Sequence, residues 1–125
     1  MPQVLIITNN PRWDSHPKAS IQYRDESLLQ VLTRVRDLVH RHYCLISHPL
    51  AGSIKPNATP YKSVLLGAVP EEQIDPISLQ LIEAAVQVST RMLRENPPKP
   101  MNDKVRADYA LIDMDLIMNA LETLI

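Results

Sequence analysis

The chain has 125 residues, of which 45% are hydrophobic, and its formal net charge is −1 at pH 7. This length predicts one α/β domain over residues 1–125, with apolar material for one aliphatic core. The near-zero charge argues against a general role in binding nucleic acid or a membrane surface, because either role needs a strong basic excess.

The cysteine count and the apolar runs predict a cytoplasmic protein. Cys44 is the one cysteine, so no internal disulfide can form, which fits a reducing compartment. The run Val4–Ile7 is too short for a signal peptide, and no apolar run approaches the length of a transmembrane helix.

Two strands are expected in the first quarter of the chain. Residues 4–8 form an unbroken aliphatic and β-branched run, which is typical of a strand covered on both faces. Asn9, Asn10 and Pro11 then predict a turn, because Asn tolerates left-handed geometry and Pro ends the strand pairing. A short second strand is expected over residues 21–24.

A helix follows, because apolar residues recur at helical spacing from Leu28 to Val39. Asp25 or Ser27 is expected to cap its start, and the basic residues 40–42 fit its carboxyl end. A third strand over residues 43–46 and a fourth over residues 64–68 are predicted on either side of a long polar segment.

Two more helices complete the chain. Asp75 as cap and Pro76 as first helical residue begin one, which must stop before the prolines of residues 97–100. Asn102 or Asp103 caps the last helix. Its apolar residues cover more than one core-facing side requires, so either the helix is deeply buried or its surplus face meets another subunit. In the second case we expect a homodimer through the 103–125 helix.

The order of these elements predicts an α/β fold, with a single small three- to four-stranded, mainly parallel sheet and about three packed helices, the last one C-terminal. If strands 4–8 and 43–46 are parallel neighbours, the turn at residues 8–10 and the segment 48–63 emerge at one edge of the sheet. Ligands of open α/β sheets bind beyond the carboxyl ends of the strands.

The segment 48–63 is the best candidate for a binding site. Its three prolines stiffen it, and no acidic residue lies between Leu38 and Pro70. This pattern predicts a site for a small anion, or for an acidic patch on a partner, with charge supplied by Lys55 and Lys62. The predicted ligand-binding residues are Thr8, Asn9, Asn10, His48, Gly52, Ser53, Lys55, Asn57, Thr59, Tyr61, Lys62 and Ser63. In the alternative interpretation, the polar side chains bond the segment's own backbone and the lysines are solvated.

Evidence for catalysis is weaker. His48 could act as an acid or base, although a histidine bonded to the backbone is the more common case. The histidine spacing matches no metal template, and two glycines are too few for phosphate-binding fingerprints, so no metal or cofactor is expected. Asp113 and Asp115 should face different sides of their helix and not form a carboxylate pair.

Three stretches resemble the GrdX family, whose members are small proteins encoded beside the glycine, sarcosine and betaine reductases of amino-acid-fermenting anaerobic bacteria. These stretches are residues 8–11, residues 35–40 and above all residues 48–63, which together fall in the first two-thirds of the chain. The resemblance implies an accessory role near a reductase complex, with no assigned catalytic residues.

Three hypotheses follow. The first is a non-catalytic accessory protein that binds a small anion, such as an acyl phosphate, a phosphorylated metabolite, glycine or betaine, through the segment 48–63. The second is an enzyme, with His48 as acid/base and Lys55 or Lys62 stabilising charge. The third is a protein-interaction module that docks on a reductase subunit.

Overall fold

A computed structural model describes residues 2–51 and 55–124. Three strands and three helices follow in the order β1 (Val4–Thr8), β2 (Ala19–Tyr23), α1 (Leu28–His40), β3 (Ser63–Gly67), α2 (Pro76–Glu95) and α3 (Asp103–Thr123). The α/β class and the three helices are therefore confirmed, and β1 has the predicted bounds.

The sheet differs from the prediction, because it is mixed and has three strands in the order β2-β1-β3 among the described residues. β1 pairs with β2 in parallel and with β3 antiparallel. The prediction of a mainly parallel sheet is wrong because α1 does not connect two neighbouring parallel strands. The parallel pair is instead joined by residues 9–18, which contain no helix.

The predicted strand over residues 43–46 is also wrong. This segment runs antiparallel beside β3, but it forms only an isolated bridge between Leu45 and Leu66. Two backbone bonds flank this bridge, from Gly67 N to Cys44 O at 3.0 Å and from Ile46 N to Leu65 O at 2.9 Å. The backbone pairing does not extend beyond Ser47, where Leu65 N donates to the side-chain Oγ of Ser47 at 2.9 Å, so the segment remains a single bridge.

Each helix starts directly after one of the predicted N-capping residues. Ser27 caps α1 in a capping box with Gln30, and Asn102 caps α3. Asp75 caps α2 and Pro76 is its first residue. Each cap side chain accepts a hydrogen bond from a backbone N–H that has no partner inside the helix, so local sequence fixes all three starts.

The helices lie on both faces of the sheet, and the alternation along β1 assigns each face. Ile7 packs with α1 and α2 in one apolar cluster. Val4 and Ile6 pack with Ile117 and Leu121 of α3 in a second cluster. Successive strand residues point to opposite faces, so every second residue of β1 faces α3.

Only part of the wide apolar surface of α3 meets the sheet. Its buried residues are Ala110, Asp113, Ile117 and Leu121, whereas Val105, Ile112 and Leu116 remain 36–43% exposed. The helix therefore has a second, uncovered apolar stripe, which we call the outer stripe of α3 and define as Val105, Tyr109, Ile112 and Leu116. None of the helices in the described part of the chain is long and apolar enough to span a membrane.

Candidate functional site

The candidate site lies where β1 ends and β3 begins. Because these strands are antiparallel, Thr8 at the end of β1 is the register partner of Ser63 at the start of β3. Thr8 and Ser63 lie on the face of the sheet that is covered by α3. The other residues of this face in β1 and β3 are apolar, so the two hydroxyl groups mark its polar edge. Their oxygen atoms are 2.6 Å apart.

Asp113 of α3 reaches this pair of hydroxyl groups. Its Oδ2 accepts from Ser63 Oγ at 2.6 Å and from Asn10 Nδ2 at 3.0 Å. Trp13 Nε1 donates to Ser63 Oγ at 3.0 Å. Ser63 thus donates once and accepts twice, which uses the full capacity of its hydroxyl group, so it has no bond left for a ligand.

Asn9 fixes the end of the segment 48–63 at the same edge. Its Oδ1 accepts from Lys62 N at 2.8 Å, and its Nδ2 donates to Pro60 O at 2.9 Å and to Glu26 O at 2.8 Å. The single amide therefore joins the segment before β3 to the start of α1. Both polar atoms of the Asn9 side chain are therefore hydrogen-bonded within the protein.

Lys62 and Asp113 line a small cavity of about 20 Å³ with Thr59, Tyr61 and Tyr109. Both charged residues are 8% exposed, and they do not form a direct ion pair although both belong to the described part of the chain. A space of this size holds about one water molecule. Lys62 and Asp113 therefore both line a space that holds about one water molecule, without an ion pair between them.

Burial dominates the titration of both groups. It raises the pKa of Asp113, while hydrogen bonds from Ser63 and Asn10 and the charge of Lys62 oppose that rise. Burial lowers the pKa of Lys62, and the charge of Asp113 opposes that fall. Each group is therefore displaced toward its neutral form, because a low-dielectric surrounding disfavours charge.

A second, larger cavity of about 660 Å³ lies beside the first, between the segment 55–61, the start of α1 and the proline segment 97–100. Its volume is in the range of sites for small ligands. Leucine, proline and methionine side chains form much of its wall, together with two acidic and two basic residues: Asp25, Glu26, Lys99 and Arg106. Asn9, Thr59 and Tyr61 link it to the edge of the sheet.

The structure separates the predicted ligand-binding residues into three groups. Asn9, Thr59, Tyr61 and Lys62 line one or both cavities. Thr8, Asn10 and Ser63 are buried and bonded within the protein. The remaining described residues are His48, Lys55 and Asn57, which line neither cavity. Gly52 and Ser53 lie outside the described residues.

The side chains in the last group have local roles or face solvent. His48 is exposed, and its Nδ1 accepts from Leu50 N at 3.0 Å, which is the backbone-bonded arrangement that the sequence left open. Asn57 Nδ2 donates to Asn96 O at 3.1 Å, at the end of α2. Lys55 is exposed.

Two residues at the site were missed by the sequence interpretation. Trp13 lies in the polar connection 9–18, where the pattern predicts no core residue. Asp113 was considered only as half of a carboxylate pair with Asp115, and that pair is correctly excluded because Asp115 is exposed. One signal was present: Asp113 is in helical register with Ala110, Ile117 and Leu121, so a carboxylate interrupts an apolar stripe.

Comparison with known proteins agrees with the resemblance in the sequence. The family model described as GrdX-like protein matches residues 5–122. The chain belongs to the GrdX-like family. The match extends past the segment 48–63 and through nearly all of α3, so the family pattern includes the helix that supplies Asp113. Searches of curated proteins and of solved structures gave no significant match. The family name suggests an association with glycine reductase-related systems.

Proposed function

We propose that this GrdX-like protein is a non-catalytic accessory protein of a glycine reductase-related system, and that it binds a small carboxylate metabolite in the 660 Å³ cavity. The observation that carries the proposal is the lining of that cavity, in which residues of the family's long segment meet both cationic and anionic side chains. An amino acid or a betaine carries both charges, and glycine and betaine are therefore the first candidates.

The charges of the wall favour a zwitterion over an anion alone. Glu26 is paired with Arg34, and Arg106 is paired with Asp103. Lys99 and Asp25 are exposed residues that line the cavity, so one can attract a carboxylate and the other an ammonium group. A phosphate dianion would gain from Lys99 but be repelled by Asp25 and Glu26.

Thermal shift measurements test this binding. Glycine or betaine at about ten times its dissociation constant should raise the melting temperature by about 4 °C, because a ligand of the folded state alone stabilises it. Phosphate and acetyl phosphate should have no such effect. Lys99→Ala should remove the shift, whereas Lys55→Ala should retain it, since Lys55 is an equally exposed lysine in a proline-rich segment but lies outside the cavity. No shift with either zwitterion, or equal loss in both variants, would refute the proposal.

A second role, association of two copies, is favoured by the outer stripe of α3. Val105, Ile112 and Leu116 are aligned on one side of the helix and are more than a third exposed. Aligned apolar side chains on an exposed helix face are typical of a helix-packing interface. We propose a homodimer in which the two α3 helices pack against each other, leaving the large cavity available to a ligand or a reductase subunit.

Light scattering at micromolar concentration should give the mass of a dimer. Ile112→Lys should give a monomer of unchanged helix content, because it places a charge in the centre of the interface. Ile77→Lys is the matched control: Ile77 is 66% exposed on α2, on the opposite face of the sheet, and the dimer should persist. A monomeric mass for the unmodified protein disproves the association.

A further inference from the structure

Polar and charged residues line the small cavity that lies beside the large one, where apolar packing alone would not require them. It is lined by a lysine, an aspartate and a tyrosine from different positions of the chain, namely Lys62, Asp113 and Tyr109. Lysine side chains are rarely buried without a paired charge. Here the direct ion pair is missing between two described residues that share one cavity.

The backbone of Lys62 is held firmly. Its N–H donates to Asn9 Oδ1 at 2.8 Å, and its carbonyl oxygen accepts from Asn9 N at 3.4 Å. The next residue, Ser63, is bonded to three other side chains. Lys62 lines the small cavity together with residues of α3, and none of the other four lysines does so.

From this geometry we infer that, in a single copy of the protein, where no second α3 covers Tyr109 and Leu116, Lys62 is a reactive amine that forms an imine with a small unhindered aldehyde entering the cavity beside these two residues. Lysines act as nucleophiles when an apolar pocket disfavours their charged form. The direction of the pKa shift of Lys62, downward through burial, agrees with this role.

The chemistry is balanced without a further reactant. The lone pair of Lys62 Nζ attacks the carbonyl carbon, a C–N bond forms, and the carbon–oxygen bond breaks. The oxygen leaves as water with the two protons that the neutral amine gives up. Asp113 lies on the same cavity and can pass these protons to the departing oxygen. The cavity is only about 20 Å³, so the rest of the aldehyde must extend through the mouth toward solvent.

Competitive labelling of the folded protein tests the inference independently of the proposed metabolite binding. At pH 7, and at a protein concentration where light scattering gives the mass of a monomer, the protein is treated with a limiting amount of propionaldehyde and cyanoborohydride. The cyanoborohydride reduces any imine to a stable secondary amine, and peptide mass spectrometry locates the product. Lys62 should be modified several-fold faster than Lys18, Lys55, Lys99 and Lys104. The preference should vanish in urea, where all five amines are equally solvated, and Lys62→Met should lose the fast phase while keeping the circular dichroism spectrum.

Two tryptophan variants establish that access is through the cavity. Leu116→Trp, at a lining position that is 37% exposed, should slow the modification of Lys62 several-fold without changing the other lysines. Leu111→Trp, at a position of the same helix that is 42% exposed and lies outside both the lining and the outer stripe of α3, should leave the modification rates of all five lysines unchanged. Modification of Lys62 at or below the rate of the exposed lysines would overturn the inference, as would an unchanged rate in Leu116→Trp.

Discussion

Replacing Asp113 by Ala is expected to lower the free energy of unfolding by about 2–4 kcal/mol, because hydrogen bonds to a charged or partly charged buried group are worth more than neutral ones. The change leaves Ser63 Oγ and Asn10 Nδ2 without their shared acceptor. Both are buried, so water cannot fully replace the carboxylate. Urea unfolding followed by circular dichroism measures the loss.

Asp115→Ala is the matched control for this substitution. Asp115 is two residues away on α3 and is exposed, so its removal should change the free energy of unfolding by less than about 0.5 kcal/mol. An equal effect of the two substitutions would mean that Asp113 stabilises the protein only through helix propensity. The hydrogen bonds of Asp113 at the sheet edge would then add nothing to the free energy of unfolding.

Comparing the free energies of unfolding of the unmodified protein and of Asp113→Asn at several pH values shows how the carboxyl group of Asp113 affects stability. Because burial raises its pKa above 3.8 in the folded protein, the folded state binds more protons than the unfolded state in the interval between the two values. Its contribution to stability is complete below the unfolded value and is lost as the pH rises through the folded value.

Unmodified protein should therefore lose stability relative to Asp113→Asn as the pH rises from the ordinary value of the carboxyl group, 3.8, through its raised value in the folded protein. Asp75 has the opposite slope, since hydrogen bonds from Ser78 lower its pKa, but that contribution is common to both proteins and cancels in the difference. A difference that stays constant across this interval would contradict the raised pKa of Asp113.

Truncation of Trp13 should have an effect of similar size, about 3–5 kcal/mol for Trp13→Ala, as is typical of a large buried aromatic residue. Trp13 is 8% exposed and packs in the cluster between the sheet and α3. It also donates to Ser63. The loss combines a cavity in this cluster with the removal of one of the bonds that fix Ser63.

Trp13→Phe separates these two contributions. It keeps an aromatic ring in the cluster and removes the N–H donor, so its cost should include about 1 kcal/mol for the lost hydrogen bond and be well below that of Trp13→Ala. Tyr23→Ala is the control for aromatic truncation, since Tyr23 is 45% exposed on β2, and should cost little. The expected order in chemical unfolding is Trp13→Ala, then Trp13→Phe, then Tyr23→Ala; any other order refutes the assignment of Trp13 to the core.

Local signals in the sequence were sufficient for the helices and for the first strand. The caps Ser27, Asp75 and Asn102 act through their own hydrogen bonds to the next turn, so their effect can be read without the fold. The prediction of a strand over residues 43–46 was wrong because its extent depends on distant partners: the segment pairs with β3 around the single bridge between Leu45 and Leu66, and the pairing goes no further.

At the candidate site, too, the sequence predicted some features correctly and the tertiary structure decided others. The sequence located the two polar stretches, the turn after β1 and the end of the segment 48–63, and predicted that they lie at one edge of the sheet. They do lie together, but through an antiparallel pair of strands and not through the expected parallel pair. The acid-free surroundings of Lys62 indicated a positive site, whereas α3 brings Asp113 to the same cavity.

The sequence by itself determined the family, the helices with their starting residues, the first strand and the position of a stiff, proline-rich segment. These features depend on contacts within a few residues or on motif identity. Only the tertiary structure decided which way β3 runs, which side of α3 is buried and that Lys62 faces a carboxyl group. The pairing direction and the helix rotation depend on packing between segments that are far apart in the chain, and no local stretch of sequence contains those contacts.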